Sequence, residues 1–338
     1  MMKRWIVWIL IALCGLVSCT KEIKFRGEET EPKLVVYSLA RVGEPLEVQV
    51  SQSVFFLASE SLSDFSEDLD PAMGTLQLFV NDNPVPRTFT WVKEEFAGND
   101  DDGNAVYEPA PAAPLYYVSD YVPAEGDRLR LVVSFPGFDP VTATASVPHC
   151  TTLTVDSASG HPLSDDPSSL YGGSYTVHDL TLTLQRGNDP ECFYGIRPYV
   201  TVKYPGEDAW DTALRLESDD IIFQGNGDQT SQLAVLFGGD DVDKIIPQAK
   251  IPAEAYTFRC RFSDQALPPW VFEDADVSYY LEFTTMPRDL YYYRMSLSKL
   301  SGDSSFSIFS EAAVIYSNVV GGFGCFTACS SVKIPIDL

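Results

Sequence analysis

The chain has 338 residues, 45% of them hydrophobic, which is enough to bury the cores of two ordinary domains. Its 48 acidic side chains outnumber 23 basic ones and give a formal net charge of −25 at pH 7. Such a charge argues against nucleic acid and anionic lipid surfaces as partners, because both are themselves negative.

The N-terminus has the pattern of an export signal. Two basic residues, Lys3 and Arg4, precede thirteen uncharged residues, Trp5–Val17. A helix of this length spans roughly 20 Å against roughly 30 Å of hydrocarbon, which favours a cleaved signal peptide over a membrane span. The sequence LVSC that ends at Cys19 resembles the lipobox of bacterial lipoproteins. We therefore predict a signal peptide over residues 1–18 and lipidation of Cys19; an ordinary secretory signal followed by a chance cysteine is the alternative.

A polar segment follows the predicted anchor. Residues 19–31 are rich in Glu and Lys and show no hydrophobic periodicity, so we expect a flexible tether there. The Lys21-Glu22 pair and the acidic run after it resemble the charged segment that directs some Bacteroidetes lipoproteins to the outer face of the outer membrane. The expected location is therefore the outer membrane, with the protein held in lipid through Cys19 and facing the exterior.

Residues 32–148 have the pattern of an all-β domain. Short runs of β-branched and aromatic residues alternate with Pro, Gly, Asn and Asp at intervals of about ten residues. Asn81-Asp82-Asn83-Pro84 is a turn by composition. Seven strands of this kind predict an immunoglobulin-like or transthyretin-like β-sandwich. The predicted strands are Leu34–Tyr37, Leu46–Val54, Leu76–Val80, Thr88–Val92, Leu115–Val118, Leu129–Phe135 and Val141–Val147.

A long acidic loop interrupts this domain at residues 94–114. Its Asp100, Asp101 and Asp102 are candidate ligands for a structural calcium ion, and a solvated loop is the alternative. Alignment with an EF-hand loop fails, because Gly98 takes the first ligand position and Pro109 the place of the bidentate Glu. The acidic surface as a whole is explained by solubility or by attraction of cationic ligands.

Residues 149–338 predict a second β-rich domain. Val155–Gly173 is polar and rich in Ser, Asp and Gly, which indicates a crossing linker or an edge loop. Strands are predicted after it, in one of which His178 shares the parity of three leucines; a histidine packed on the core is therefore expected rather than a ligand or base. The strands are Val177–Gln185, Phe193–Tyr204, Tyr256–Phe262, Tyr279–Phe283, Ile308–Tyr316 and Ser331–Ile336.

One helix is predicted between Pro287 and Gly302. Pro287 suits a first helical position, Asp289 places a negative charge in the first turn, and Gly302 suits the position after the helix. An apolar stripe should pack against the second sheet. It consists of Leu290, Tyr293, Leu297 and Leu300. The predicted fold class is thus mostly β, an N-terminal β-sandwich followed by a second β-rich domain with one helix in the C-terminal half.

The cysteines do not predict a disulfide framework. Once Cys19 is lipidated, five thiols remain in the mature chain, so at most two intramolecular disulfides can form. They are Cys150, Cys192, Cys260, Cys325 and Cys329. Cys325-x₃-Cys329 lacks a second Cys or His pair nearby, so zinc is not expected. These two thiols cannot be bridged along a straight strand of about 13 Å, although a turn between them would permit it.

Three short motifs, taken in order, resemble those of a Bacteroidetes lipoprotein family, domain of unknown function 4249. They are Asp189-Pro190 followed by Phe193-Tyr194, the turn Phe262-Ser263-Asp264, and the closing segment Tyr316–Phe326. Cys325 departs from the family pattern, where an aliphatic residue is more usual. The resemblance implies a partner, because members of this family look like components that act beside TonB-dependent outer-membrane transporters. The glycines of the closing segment favour a structural role, as a tight turn that closes the second domain, rather than a role in a ligand site.

Candidate ligand-binding residues come from aromatic and acidic side chains. Tyr116, Tyr117, Trp210 and Trp270 could stack on a sugar or a peptide, although core or sheet-face positions are favoured for most of them. The motifs of serine hydrolases, zinc proteases, phosphate loops and dinucleotide folds are absent from the sequence. Two acidic clusters could supply the carboxylate pair of a glycoside hydrolase. They are Glu217-Ser218-Asp219-Asp220 and Asp240-Asp241-Val242-Asp243.

The predicted function is that of a non-enzymatic binding or accessory protein. We expect a surface lipoprotein beside a TonB-dependent transporter in nutrient uptake, with a small-molecule, peptide or glycan ligand. No catalytic residue and no cofactor are expected, apart from the calcium ion considered above. The alternatives are an extracellular hydrolase that uses a carboxylate pair and a structural or adhesive surface module.

Overall fold

The computed structural model describes the chain from residue 31 onward, with gaps. Cys19, the tether up to residue 30, Asp100–Asp102 and Trp270 lie outside the described residues, so the predictions made for them stay predictions. No helix in the described ranges is both long and apolar enough to cross a membrane. Those ranges are 31–53, 69–86, 89–92, 98–99, 105–106, 115–163, 175–223, 244–265, 267, 271–301 and 314–338.

The N-terminal region is built from strands, as the sequence predicts. Asn81 and Asp82 have φ of 51° and 67°, and Val80 pairs with Asn83, which makes the predicted turn a two-residue hairpin. Each of the seven predicted strands has a counterpart. The strands are β1 Leu34–Arg41, β2 Glu47–Gln52, β3 Thr75–Val80, β4 Asn83–Pro84, β5 Phe89–Val92, β6 Gly98–Asn99, β7 Ala105–Val106, β8 Leu115–Ser119, β9 Arg128–Ser134 and β10 Val141–Ser146.

In the described residues of the C-terminal region there are nine more strands and two α-helices, the longer of which is the predicted one. Ile308–Tyr316 was predicted as a strand; its described end, residues 314–316, is irregular, and the rest lies outside the described residues. The elements are β11 Leu153–Leu163, β12 Tyr175–Gln185, β13 Phe193–Lys203, β14 Trp210–Ala213, β15 Leu216–Glu217, β16 Lys244–Pro247, β17 Ala255–Ser263, α1 Val271–Asp274, β18 Asp276–Met286, α2 Arg288–Ser301 and β19 Phe323–Ile336.

The linker predicted over Val155–Gly173 is wrong in its first half, which belongs to β11. This strand pairs with β12 from Leu153↔Leu184 to Leu163↔Tyr175, with a bulge between Val155 and Ser157. β11 lies at the edge of its sheet and most of its side chains are exposed. A strand whose two faces are both exposed to solvent needs no alternation of apolar and polar residues, so the sequence of β11 lacks the pattern that predicts a strand.

The last strand joins the two regions into one nine-stranded sheet. Eight of its strands follow the order β14-β13-β18-β19-β1-β2-β8-β5, and the ninth, β16, pairs with β13. The first half of the last strand pairs in parallel with β1, from Val35↔Phe323 to Arg41↔Cys329. Its second half pairs antiparallel with β18, from Tyr279↔Ile336 to Thr285↔Ser330. We call the parallel pairing of residues 323–329 with β1 the junction. The sequence predicts only the end of this strand, 331–336.

Two smaller sheets cover the same face of the large sheet. The sheet β10-β9-β3-β4 shares the N-terminal core with β1, β2 and β8, and the sheet β11-β12-β17-β15 shares the C-terminal core with β13 and β18. The last strand contributes to both cores, because Phe326 and Ala328 are 0% exposed in the first and Ile336 is buried in the second. The immunoglobulin-like or transthyretin-like character of the first region stays a prediction.

Helix α2 covers the opposite face of the large sheet beside the junction. Leu290 is buried with Met286 and Cys329, and the ring of Tyr293 lies 5.7 Å from that of Tyr37. The helix therefore packs on strands from both regions, including β1, whereas the sequence predicts contact with the second sheet alone. The helix thereby contacts both β1 and β19 on the face of the large sheet that is opposite the two cores.

Candidate functional site

A groove with a volume of about 560 Å³ lies along β17 and the edge strand β15 of the sheet β11-β12-β17-β15. This volume lies within the range of about 300–1,000 Å³ that is typical of small-molecule sites. Four basic side chains line the groove, together with four acidic ones, and we call it the charged groove. The basic residues are Arg215, Lys244, Arg259 and Arg261.

The alternation of β17 explains how these side chains reach the surface. Phe258 and Cys260 point into the C-terminal core, so Arg259 and Arg261 point outward. Burial, followed by the charge of Asp179, raises the pKa of the Cys260 thiol to about 12. This thiol is therefore protonated at neutral pH and lacks the thiolate that a nucleophile needs.

The two arginines that β17 contributes to the charged groove differ in their partners. Arg261 pairs with Asp179 on one neighbouring strand and with Glu217 on the other, and its Nε lies 3.1 Å from Glu217 Oε2. Arg259 lies opposite Thr181 instead. Among the described residues, no carboxylate forms a salt bridge with the Arg259 guanidinium. Arg261 is thus compensated within the protein, and Arg259 is left to face the groove.

The acidic cluster that the sequence singled out forms one wall of the charged groove. Glu217 accepts a hydrogen bond from Arg261, and Asp220 Oδ1 accepts from the backbone N–H of Ile222 and from the Tyr256 hydroxyl, each at 3.1 Å. Both carboxylates therefore act as acceptors. A glycoside hydrolase needs one protonated carboxyl as a general acid, and these contacts do not favour one. For Asp219, the described part of the chain supplies no salt-bridge partner.

The described candidate aromatic residues, Tyr116, Tyr117 and Trp210, do not line the charged groove. Trp210 is 40% exposed on the edge strand β14. Tyr117 is 3% exposed in the N-terminal core, where its hydroxyl donates to the Pro71 carbonyl at 3.2 Å, so this residue takes the core position that its sequence also allowed. Tyr116 is half-buried on β8. Ligand binding by these residues stays a prediction.

His178 occupies the core position that its parity predicts. It is 5% exposed, its ring stacks on Phe262 at 4.8 Å between centroids, and its Nε2 lies 3.6 Å from Asp264 Oδ2. Asp264 also accepts from the backbone N–H of Thr176 at 2.7 Å and from the Tyr279 hydroxyl at 3.3 Å. The Phe-Ser-Asp motif therefore fixes the start of β12 against the core.

The closing motif binds the end of the chain to helix α2. Asn318 pairs with the backbone of Phe326 in both directions, donating to its carbonyl at 2.8 Å and accepting from its N–H at 2.9 Å. The Tyr316 hydroxyl and the Asn318 amide both donate to Asp289 in the first turn of α2. These contacts assign the motif a role in the fold, as the sequence predicts, although the segment leads into the junction rather than closing the second domain.

The glycines of this motif allow β19 to approach β1. A Cβ on Gly322 would lie 2.3 Å from the Leu34 carbonyl oxygen, and a Cβ on Gly324 would lie 2.0 Å from that of Val36. Gly324 also has a φ of 112°, which side chains rarely adopt. Larger residues would therefore separate the two strands.

The five described cysteines are free thiols. Cys325 and Cys329 lie on one uninterrupted strand, β19, with no turn between them. The local disulfide that a turn would permit is therefore not formed. Within the ranges that the structure describes, no three His, Cys, Asp or Glu side chains come together as a metal site.

A family model described as "Domain of unknown function (DUF4249)" matches residues 20–334 of the chain. The chain belongs to the DUF4249 family. The resemblance inferred from the three motifs is thus confirmed. No curated protein matches the chain. The DUF4249 match spans both cores and the charged groove, whereas the quoted motifs lie at the start of β13, at the end of β17 and where the chain enters the junction.

Sequence reasoning found half of the charged groove in this DUF4249 protein. The acidic cluster at 217–220 stood out, but Arg259 and Arg261 did not, since two isolated arginines within a strand are common. The available signal was their parity, because the strand Tyr256–Phe262 alternates apolar residues with Thr257, Arg259 and Arg261. This pattern predicts a basic stripe on the outer face.

Proposed function

We propose that this DUF4249 protein is a lipid-anchored component of the outer-membrane surface that binds a ligand beside a TonB-dependent transporter in nutrient uptake. The observation that carries the proposal is the charged groove. On a chain with a formal net charge of −25, four basic side chains meet in one concave surface that a β-sheet holds in place. Such a surface suits capture of a polar ligand.

The lipobox at Cys19 and the family support the location. Fourteen residues, 20–33, separate Cys19 from Leu34, where β1 begins. Fully extended, this segment reaches at most roughly 50 Å. The folded part can thus turn and stand away from the lipid while its anchor stays in place, which suits a protein that passes ligand to a transporter.

The contacts in the charged groove favour binding over catalysis. Glu217 and Asp220 are engaged as acceptors, and the pKa of Cys260 is raised to about 12 by burial and the charge of Asp179. The raised pKa opposes a thiolate nucleophile at Cys260, and the two carboxylates already have hydrogen-bond donors within the protein.

Replacement of the predicted anchor tests the location. We expect the parent protein to incorporate an acyl label and to fractionate with outer membranes, and we expect Cys19→Ser to lose both properties. Cys150→Ser serves as the matched control, since this thiol lies beyond the tether, and it should keep both. Firm membrane attachment of Cys19→Ser, with no acyl label in the parent, would contradict the proposal.

Detergent extraction tests the partner. A TonB-dependent transporter should co-purify with the parent protein after mild solubilisation of the outer membrane. Recovery of the protein with fimbrial subunits instead would support the adhesive alternative. Turnover in a screen of glycans and peptides would support the hydrolase alternative, and either result would overturn the accessory role.

A further inference from the structure

We propose that the charged groove binds short peptides by both of their charged ends, with the peptide carboxylate on Arg259 and the peptide ammonium on Asp219. This inference rests on the proposed function and names its ligand class. It follows from which charges in the groove are already compensated and which are not.

Of the two β17 arginines, Arg259 is the one that remains for a ligand. Across the sheet, Arg261 lies between Asp179 and Glu217, whereas Arg259 lies opposite Thr181. Its side chain is exposed on the outer face, and the described residues offer it no salt bridge. A guanidinium presents parallel N–H donors that match the two oxygens of a carboxylate, so a terminal carboxylate is the complementary group.

Asp219 is the matching anion at the same place. The Ser218 hydroxyl donates to the Arg259 backbone carbonyl at 2.6 Å, which ties the 218–220 segment to β17 beside Arg259. The same hydroxyl accepts from the Asp220 N–H at 3.2 Å and so fixes the turn that carries Asp219. Asp219 and Arg259 therefore line one groove, and the segment that carries one is bonded to the strand that carries the other.

A ligand with separated charges of both signs fits this arrangement better than a polyanion or a neutral sugar. A polyanion would meet Asp179, Glu217, Asp219 and Asp220 in the same groove. A neutral ligand would cover Arg259 and Asp219 without pairing either charge, which is unfavourable because charged groups lose water on burial. A short peptide with free ends provides an ammonium and a carboxylate on a backbone that can also bond Thr257, which lines the groove.

Calorimetric titration of the full chain in detergent tests the proposal, with tri-alanine as the probe. The comparison ligands are tri-alanine amide, which lacks the carboxylate, and N-acetyl-tri-alanine, which lacks the ammonium. We expect tri-alanine to bind and each blocked form to bind roughly tenfold more weakly, as for the loss of one hydrogen-bonded ion pair.

Two variants assign the ends of the peptide. Arg259→Gln should weaken tri-alanine binding and abolish the preference for the free carboxylate, while the preference for the free ammonium remains. Asp219→Asn should do the reverse. Arg128→Gln is the matched control, because Arg128 is an exposed arginine paired with Asp82 in the N-terminal region, and it should bind like the parent.

Three outcomes would overturn the inference: no binding of tri-alanine at about 10 mM, equal binding of free and blocked peptides, or an unchanged preference for the free carboxylate in Arg259→Gln. A protein that is acylated and co-purifies with a transporter but ignores tri-alanine would overturn this inference alone. Peptide binding by a protein that lacks an acyl anchor would instead overturn the proposed function.

Discussion

At the junction, Gly322 and Gly324 leave no room for a Cβ between β19 and β1, and Phe326 is 0% exposed. In the charged groove, Arg259 and Arg261 stand exposed on the outer face of β17. The quoted family motif Tyr316–Phe326 leads into the junction, of which it includes residues 323–326, and it does not reach the groove. The difference teaches that this motif specifies how the chain closes, whereas the ligand binding that we propose depends on residues outside the motif.

The most damaging change is expected at Gly324. In Gly324→Ala, the new Cβ would lie 2.0 Å from the Val36 carbonyl oxygen at a φ of 112°, so the parallel pairing must open. We expect a loss of more than about 4 kcal/mol in the free energy of unfolding, measured by urea denaturation.

Gly137→Ala is the matched control for this change. Gly137 has a φ of 84° but no atom within 4 Å of the position that its Cβ would take. Only the backbone strain remains, so the expected loss is about 1 kcal/mol. Equal losses in the two variants would show that the close approach of β19 to β1 is unimportant.

A smaller loss is expected when Asn318 is replaced. Asn318→Ala removes both side-chain hydrogen bonds to the Phe326 backbone and one to Asp289. Because two buried backbone groups lose a partner, we expect roughly 2–3 kcal/mol less unfolding free energy in the same denaturation experiment. Asn318→Asp keeps the acceptor for the Phe326 N–H and places a second carboxylate beside Asp289, so an unfolding free energy equal to that of the parent would contradict the amide's role.

The contact between the two regions also predicts a pH dependence. Burial alone would raise the pKa of Glu125, but hydrogen bonds from Ser330 and from the Cys150 N–H, with His149 nearby, outweigh it and hold the pKa below its usual value. A carboxyl with a lowered pKa in the folded state contributes stability at neutral pH, and that stability is lost as the pH falls through the folded pKa.

Glu125→Gln should therefore flatten part of this dependence. We expect the variant to be less stable than the parent at pH 7 and the difference to shrink as the pH falls into the acidic range, followed by thermal unfolding between pH 7 and pH 3. Glu44→Gln is a suitable control, because Glu44 is exposed and its carboxylate lies a long 3.9 Å from Arg41, three residues earlier in the chain. A difference that is constant across this range would contradict the assignment.

The smallest effect on stability is expected in the charged groove. Arg261→Gln removes an exposed pair in which Arg261 and Glu217 are 59% and 53% exposed, so the unfolding free energy should change by about 0.5 kcal/mol or less. Arg259→Gln should change it no more than that, while altering peptide binding. A loss of stability comparable to that in Asn318→Ala would contradict the distinction between the junction and the charged groove.

Much of the fold follows from local sequence pattern. The strand Val177–Gln185, the turn at Asn81–Asp82 and the helix near Pro287 each depend on neighbours in sequence, and each is present. The start of β19 escaped prediction because its partner β1 is at the other end of the chain, and glycines suited to a close parallel approach look the same as glycines of a turn.

The candidate site was harder to predict than the fold. Its acidic wall is continuous in sequence, at Glu217–Asp220, and was noticed for that reason. Its basic residues come from separate elements, with Arg215 before β15, Lys244 at the start of β16 and Arg259 within β17. Only the pairing of the strands brings them together, and a single sequence does not reveal that pairing.

The most direct test of the account is the ratio between the dissociation constants of tri-alanine amide and tri-alanine, measured in the parent and in Arg259→Gln. The account predicts a ratio of roughly ten in the parent and about one in the variant, with the unfolding free energy unchanged within about 0.5 kcal/mol. A ratio that stays near ten in Arg259→Gln, or one that is already near one in the parent, would contradict it.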